Sequence, residues 1–214
     1  MTKISSVKDI LEQIAPEDTK MGDIKKLAKE LKKNHDLALE LWKTGNVNAR
    51  RLAIMIMDKN QIDEAFLAKI DQDLRSHTQQ DQNRLMEWLM ANQLMKNKKT
   101  IAIMESWINA DSPLQRRTFW YHQARLRWTG QTPPENTAEL MDEIEENIAK
   151  EPEQVQWAMN FAAGWIGVYD KKFRDRCVKI GEKMGLYKEE IVPKNCTPNY
   201  LPDFIKIEAG KRNL

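Results

Sequence analysis

Apolar positions along this 214-residue chain recur at i, i+3 and i+4 far more often than they alternate with polar ones. That periodicity predicts helices almost throughout. "MGDIKKLAKELKKNHDLALELW" sets Ile24, Leu27, Ala28 and Leu31 on one helical face and lysines on another, with Leu37, Leu41 and Trp42 continuing as a second element. "ENTAELMDEIEENIAK" reads as an exposed amphipathic helix whose apolar stripe is Leu140, Ile144 and Ile148. Eight glycines and eight prolines are few for this length. The expected fold class is all-α.

The pattern also repeats itself. "WKTGNVNARRLAIMIM" from Trp42 and "WINADSPLQRRTFWYH" from Trp107 share a tryptophan, a short polar turn, an Arg-Arg pair and a bulky helix. Between them, in "DQNRLMEWLMANQL", Arg84 stands 33 residues after Arg51 and 33 before Arg117. A fourth apolar helix, "QVQWAMNFAAGWIGVY", follows at a longer interval. Apolar helices separated by more polar ones are the sequence form of an α-solenoid, in which each helix pair hides one face against the next. Tetratricopeptide and ankyrin signatures are missing, so a degenerate HEAT-like array fits better, with an irregular bundle as the alternative. The expected organisation is one domain over 1–214, with repeats near 20–60, 61–96, 97–130 and 135–185 and a tail at 186–214.

Helical wheels give the arginines two readings. Over 48–58 the apolar residues from Leu52 to Met57 surround the axis, as in a helix buried on most sides. Ser112 and Pro113 mark a helix start. Beyond it, Arg116, Trp120, Gln123 and Arg127 share a strip roughly 60° wide at 3.6 residues per turn. If that strip faces a concave surface, arginines in successive repeats line a groove with positive charge, and their planar forks suit phosphate oxygens. The candidate DNA contacts are then Arg50, Arg51, Arg84, Arg116, Arg117, Trp120, Gln123 and Arg127. The other reading makes Arg50, Arg84 and Arg117 caps or ion pairs between repeats.

Composition narrows the functions. Net charge is only +2, so polyanion binding must come from the arrangement of the 34 basic residues. No apolar run approaches the roughly 18 residues of a membrane span, and no N-terminal segment reads as a signal peptide. Cys177 and Cys196 lie 19 apart without C-x-x-C, and His35, His77 and His122 show no metal-ligand spacing. No metal or cofactor site and a reducing cytoplasm are expected. His122 is expected at the surface. Lys96, Lys98 and Lys99 form a basic turn, "KKFRDRCVK" is a possible extension of a basic track, and "EAGKRNL" is expected to fray.

Three stretches, "AKELKKNHDLALELWKTGNVNARRLAIMIMD", "WINADSPLQRR" and "AAGWIGVY", together resemble the HEAT-like repeat DNA alkylation repair proteins, the AlkD-type alkylpurine DNA glycosylases, over about residues 20 to 185. The resemblance implies a single-domain α-solenoid that holds double-stranded DNA, alkylated or otherwise damaged, on a concave basic face. It implies hydrolysis of the N-glycosidic bond of N3- or N7-alkylated purines without metal or organic cofactor, by a monomer in the cytoplasm at the nucleoid. In that chemistry a carboxylate supports the positive charge developing on the sugar.

The family's catalytic stretch, roughly W-D-x-x-D, falls on His77, Thr78, Gln79, Gln80 and Asp81. Asp81 then stands for the essential carboxylate, while His77 and Thr78 depart from the pattern; a register shifted by one puts Gln82 there instead. Arg116 matches the family's backbone-gripping arginine and Trp165 its second sugar-contacting tryptophan. Asp81 also has a plain role, as an acidic residue at a helix N-terminus. Two further readings stand beside excision: a non-catalytic DNA-binding repeat protein, and a helical scaffold for proteins.

Overall fold

The structure is a computed structural model in which residues 6–16 and 18–214 are described. Every regular element among them is helical, and the chain divides into two compact units, Met1–Glu105 and Ser106–Leu214. The first holds α1 (Val7–Ile14), α2 (Met21–Leu31), α3 (His35–Lys43), α4 (Val47–Ile56), α5 (Glu64–Leu74), α6 (Gln79–Asn92) and α7 (Lys98–Glu105). The second holds α8 (Pro113–Trp128), α9 (Thr137–Asn147), α10 (Glu153–Tyr169), α11 (Lys171–Met184) and α12 (Leu201–Arg212).

Local chemistry sets the helix starts. Ser6, Asn34, Asn46, Asp63, Thr78, Ser112 and Asp170 each cap a helix by accepting a backbone N–H from its first turn. This satisfies donors that have no partner within the helix. The predicted start at Ser112 and Pro113 is the start of α8.

In the first unit α4 packs against α2, α3 and α6. Its Leu52, Ala53, Ile54 and Ile56 are buried, as a helix apolar on most sides requires. Each such side chain removed from water contributes about 1.5–3 kcal/mol before entropy is counted. In the second unit α10 packs against α8, α9, α11 and α12. The predicted stripe of α9 is buried, with Ile148 in the turn that follows the helix.

Three glycines let α12 lie close. A Cβ on Gly164 would meet the Phe204 ring at 2.7 Å, one on Gly167 the Ile205 side chain at 2.6 Å, and one on Gly181 the Leu201 Cβ at 2.6 Å. One expectation therefore changes. The repeat drawn at 135–185 contains α9, α10 and all of α11, and within the tail the stretch expected to fray is helical. "EAGKRNL" contributes the last turn of α12, with Glu208 and Ala209 buried.

Candidate nucleic-acid interface

The carbonyls of the last helical turn lack partners within the helix, and arginines from neighbouring helices take those at the ends of α3, α5 and α10. Arg50 donates to the carbonyl of Trp42 at the end of α3 (3.2 Å) and to that of Asp73 at the end of α5 (3.1 Å). Its guanidinium also lies 4.7 Å from the Trp42 ring centroid. Arg174 donates to the carbonyls of Gly167 and Val168, both at 2.8 Å, which end α10. Arg116 donates through Nη1 to Ala110 and Asp111, and through Nε and Nη2 to both Glu151 oxygens at 2.8–3.1 Å. Its fork is occupied by the protein itself.

The strip predicted on α8 is not exposed. Trp120 is 1% exposed, Gln123 0%, and Arg117 and Arg127 5% each. Arg127 donates to the Gln123 carbonyl and the Thr137 hydroxyl, and burial lowers its pKa to about 10, with Asp170 and Cys177 opposing the drop. Arg50, also 5% exposed, is held down by burial against the pull of Asp73. Arg50, Arg117, Trp120, Gln123 and Arg127 are thus interior positions. The reading of arginines as joints fits Arg50; the groove-lining reading asked for exposed forks. His122, expected at the surface, is fully buried, and burial with the Arg125 charge brings its pKa down to about 4. Arg176 in the basic run is bound to Glu145 and Asp142.

Equal spacing of Arg51, Arg84 and Arg117 does not yield equal surroundings. Arg51 is half-buried and donates to Asn48 at 2.8 Å. Arg84 is exposed on α6, one turn before Trp88, whose ring carries the Lys25 ammonium 5.6 Å from its centroid. Arg117 lies over Tyr121 and Trp157, at 5.5 and 5.2 Å.

Asp81 sits in the first turn of α6, half-buried. Its carboxylate accepts the Thr78 hydroxyl at 2.9 Å, while the Thr78 oxygen accepts the Asp81 N–H at 3.2 Å. Both the acidic helix-N-terminus role and a nearby histidine are therefore present. Burial and Arg50 lower the pKa of His77, and Asp81 opposes them.

Aromatic side chains gather between α8 and α10. Trp157, Phe161, Trp165 and Tyr169 follow at four-residue steps on α10, and Tyr121 and Trp128 meet them from α8. Trp157 stacks on Phe161 (4.9 Å, 17°), Tyr121 on Phe161 (5.9 Å, 14°), and Trp165 on Tyr169 (5.9 Å, 27°). Tyr169 is 40% exposed, and Tyr121, Trp128, Trp157 and Phe161 are half-buried. Arginines flank this ladder: Arg117 as above, Arg125 over Trp128 at 5.8 Å and Arg212 over Trp165 at 4.7 Å. Rings with guanidinium groups at their faces are suited to stacking on sugars and bases while contacting phosphates. Of the predicted site residues, Trp165 belongs to this face. The sequence does not set the rest of the ladder apart, because α10 reads as a uniformly apolar helix; its period-four aromatics are the available signal. Among the described residues no group of three or more His, Cys, Asp or Glu is arranged to hold a metal, and no helix is long and apolar enough to cross a membrane.

Two uncharacterised proteins, Lin0241 of Listeria innocua and Lmo0209 of Listeria monocytogenes, are each 22% identical to the chain and align over 91% of it and 82% of their own length. A solved structure is described as "a new family of proteins related to the HEAT-like repeat DNA glycosylases with affinity for branched DNA structures". It superposes with a TM-score of 0.65 over 96% of this chain and 86% of its own, at 18% identity, which shows a HEAT-like helical-repeat fold. The sequence model of the DNA alkylation repair enzymes matches residues 18–179. The chain belongs to the DNA alkylation repair enzyme family.

Proposed function

We propose that this protein binds double-stranded DNA in alkylation repair, using the arginine-flanked aromatic ladder of α8 and α10 as a contact surface. The observation that carries the reading is that ladder: six aromatic side chains from two helices, with Arg125 and Arg212 against their rings and the enclosed Arg117 behind them. A water-soluble surface has no need of such a stripe, and each aromatic–base stack is worth about 1–3 kcal/mol. Family membership supports it, as does the affinity for branched DNA ascribed to the structural neighbour. In this reading the protein acts as a monomer in the cytoplasm, on damaged or branched duplex.

The test is fluorescence anisotropy with plain, methylated and branched duplexes across a salt series. Binding should weaken steeply with salt, with a log–log slope of about −0.9 per phosphate neutralised. Trp157→Ala and Phe161→Ala should each cost roughly tenfold in affinity, as about 1.4 kcal/mol of lost stacking implies. A flat salt response, or no binding at low salt, sinks the proposal and favours a protein scaffold.

A second reading, excision of N3- or N7-alkylated purines, is favoured by the half-buried Asp81 carboxylate beside His77 in the family's catalytic register. Release of 7-methylguanine or 3-methyladenine by the wild type, abolished in Asp81→Asn, supports it. Wild-type binding without release leaves a DNA-binding protein alone.

A further inference from the structure

The last turn of α12 holds a charged cluster that meets the end of the ladder. Glu208 is 7% exposed and accepts from the Thr197 hydroxyl, from Lys211 Nζ at 2.7 Å and from Arg212 Nη1. Lys211 also donates to Thr197 at 2.8 Å. Two cations on one carboxylate leave the cluster net positive. Arg212 is further fixed by Nη1 on the Glu208 carbonyl (3.0 Å) and Nε on the Tyr169 hydroxyl (3.2 Å), with its guanidinium 4.7 Å from the Trp165 ring centroid.

This leaves one edge of the fork. Nη2 has no acceptor among the described residues, and the side chain is 33% exposed. Trp165, 7% exposed, is likewise without an acceptor for its buried indole N–H. A rigid, part-exposed cationic donor lying over a ring whose own N–H lacks a partner suits a phosphate oxygen.

We propose that Arg212 and Trp165 form a subsite for one backbone phosphate of DNA, so that α12 is part of the binding surface. The inference rests on the DNA-binding reading of the ladder. Glu208 and Tyr169 preset the guanidinium, so little side-chain freedom is lost on contact. A phosphate on Nη2 would sit beside the Trp165 ring, which the guanidinium covers.

The test compares the salt dependence of binding of a short fluorescein-labelled duplex by wild type, Arg212→Gln and Arg176→Gln. The Arg212 variant should lose about one unit of log–log salt slope, whereas the Arg176 variant, whose guanidinium is held by Glu145 and Asp142, should keep the wild-type slope. An unchanged slope for Arg212→Gln, whether or not its melting temperature falls, overturns the subsite while the ladder still binds DNA. Should that variant not fold, the wild type decides. Its Trp165 indole ¹⁵N–¹H resonance, assigned with Trp165→Phe, should shift on duplex addition, and a resonance that stays put while Trp157 moves overturns the subsite. No binding by wild type would remove both the subsite and the reading beneath it.

Discussion

Arg116 and Glu151 close a bidentate fork: Nε stands 3.1 Å from both carboxylate oxygens and Nη2 2.8 Å from one of them. With Nη1 on the Ala110 and Asp111 carbonyls, the guanidinium joins the approach to α8 with the turn before α10. Both side chains are below 20% exposed, at 17% and 18%. Arg116→Ala should therefore cost about 2 kcal/mol in urea unfolding, because it strands a half-buried carboxylate. The salt slope of DNA binding should not change. A variant of wild-type stability with a weakened salt slope would return Arg116 to the phosphate-binding role.

His122 ties stability to pH. Burial and Arg125 drop its pKa to about 4, below the ordinary histidine value, so the unfolded chain takes up this proton before the folded one. Stability is full above about pH 6.5 and drains away as pH falls toward 4, by on the order of 3 kcal/mol. His122→Leu should flatten that loss in urea melts run from about pH 7 to about pH 4. It should not destabilise at neutral pH, since neither ring nitrogen has a partner to lose among the described residues.

Gly181 should not tolerate a methyl group. Its added Cβ would stand 2.6 Å from Leu201 Cβ and 2.7 Å from Pro202 Cδ, at the very start of α12. Gly181→Ala should lower stability by about 1–3 kcal/mol despite the helix propensity gained. Gly210→Ala, inside α12 with nothing within 4 Å, serves as the clash-free comparison in the same thermal melts and should gain up to about 1 kcal/mol.

The two cysteines should differ in reactivity. Cys177 is fully buried, and burial pushes its thiol up to about 12; Cys196 is exposed. Native protein should therefore react with Ellman's reagent at one thiol promptly, and at the second only on unfolding. Two fast thiols would mean that the packing around Cys177 opens readily.

The fold was legible because helix periodicity and caps are local. Ser112 with Pro113, and the stripe Leu140, Ile144 and Ile148, needed no tertiary knowledge to read. The fate of a long polar side chain is not local. A wheel groups Arg116, Trp120, Gln123 and Arg127 on one side of α8, but whether that side meets water depends on distant segments, such as Glu151 against Arg116 and Thr137 against Arg127. Likewise the 33-residue arginine repeat marks equivalent positions, while neighbours decide that Arg84 is exposed and Arg117 enclosed. Only resemblance singles out Trp165; Trp157, Phe161 and Tyr169 share its face through plain four-residue steps that the apolar character of α10 conceals. The terminal helix escaped notice because its docking depends on missing side chains, at Gly164, Gly167 and Gly181.

The ring array has an optical consequence as well. Trp128 and Trp165 are held 5.8 Å apart at 52°, close enough for their indole transitions to couple in a fixed handed geometry. The folded protein should therefore show a pronounced near-ultraviolet circular dichroism band that reports side-chain packing in the C-terminal half. That half of the molecule carries its own chromophore, and its loosening can be watched without a label.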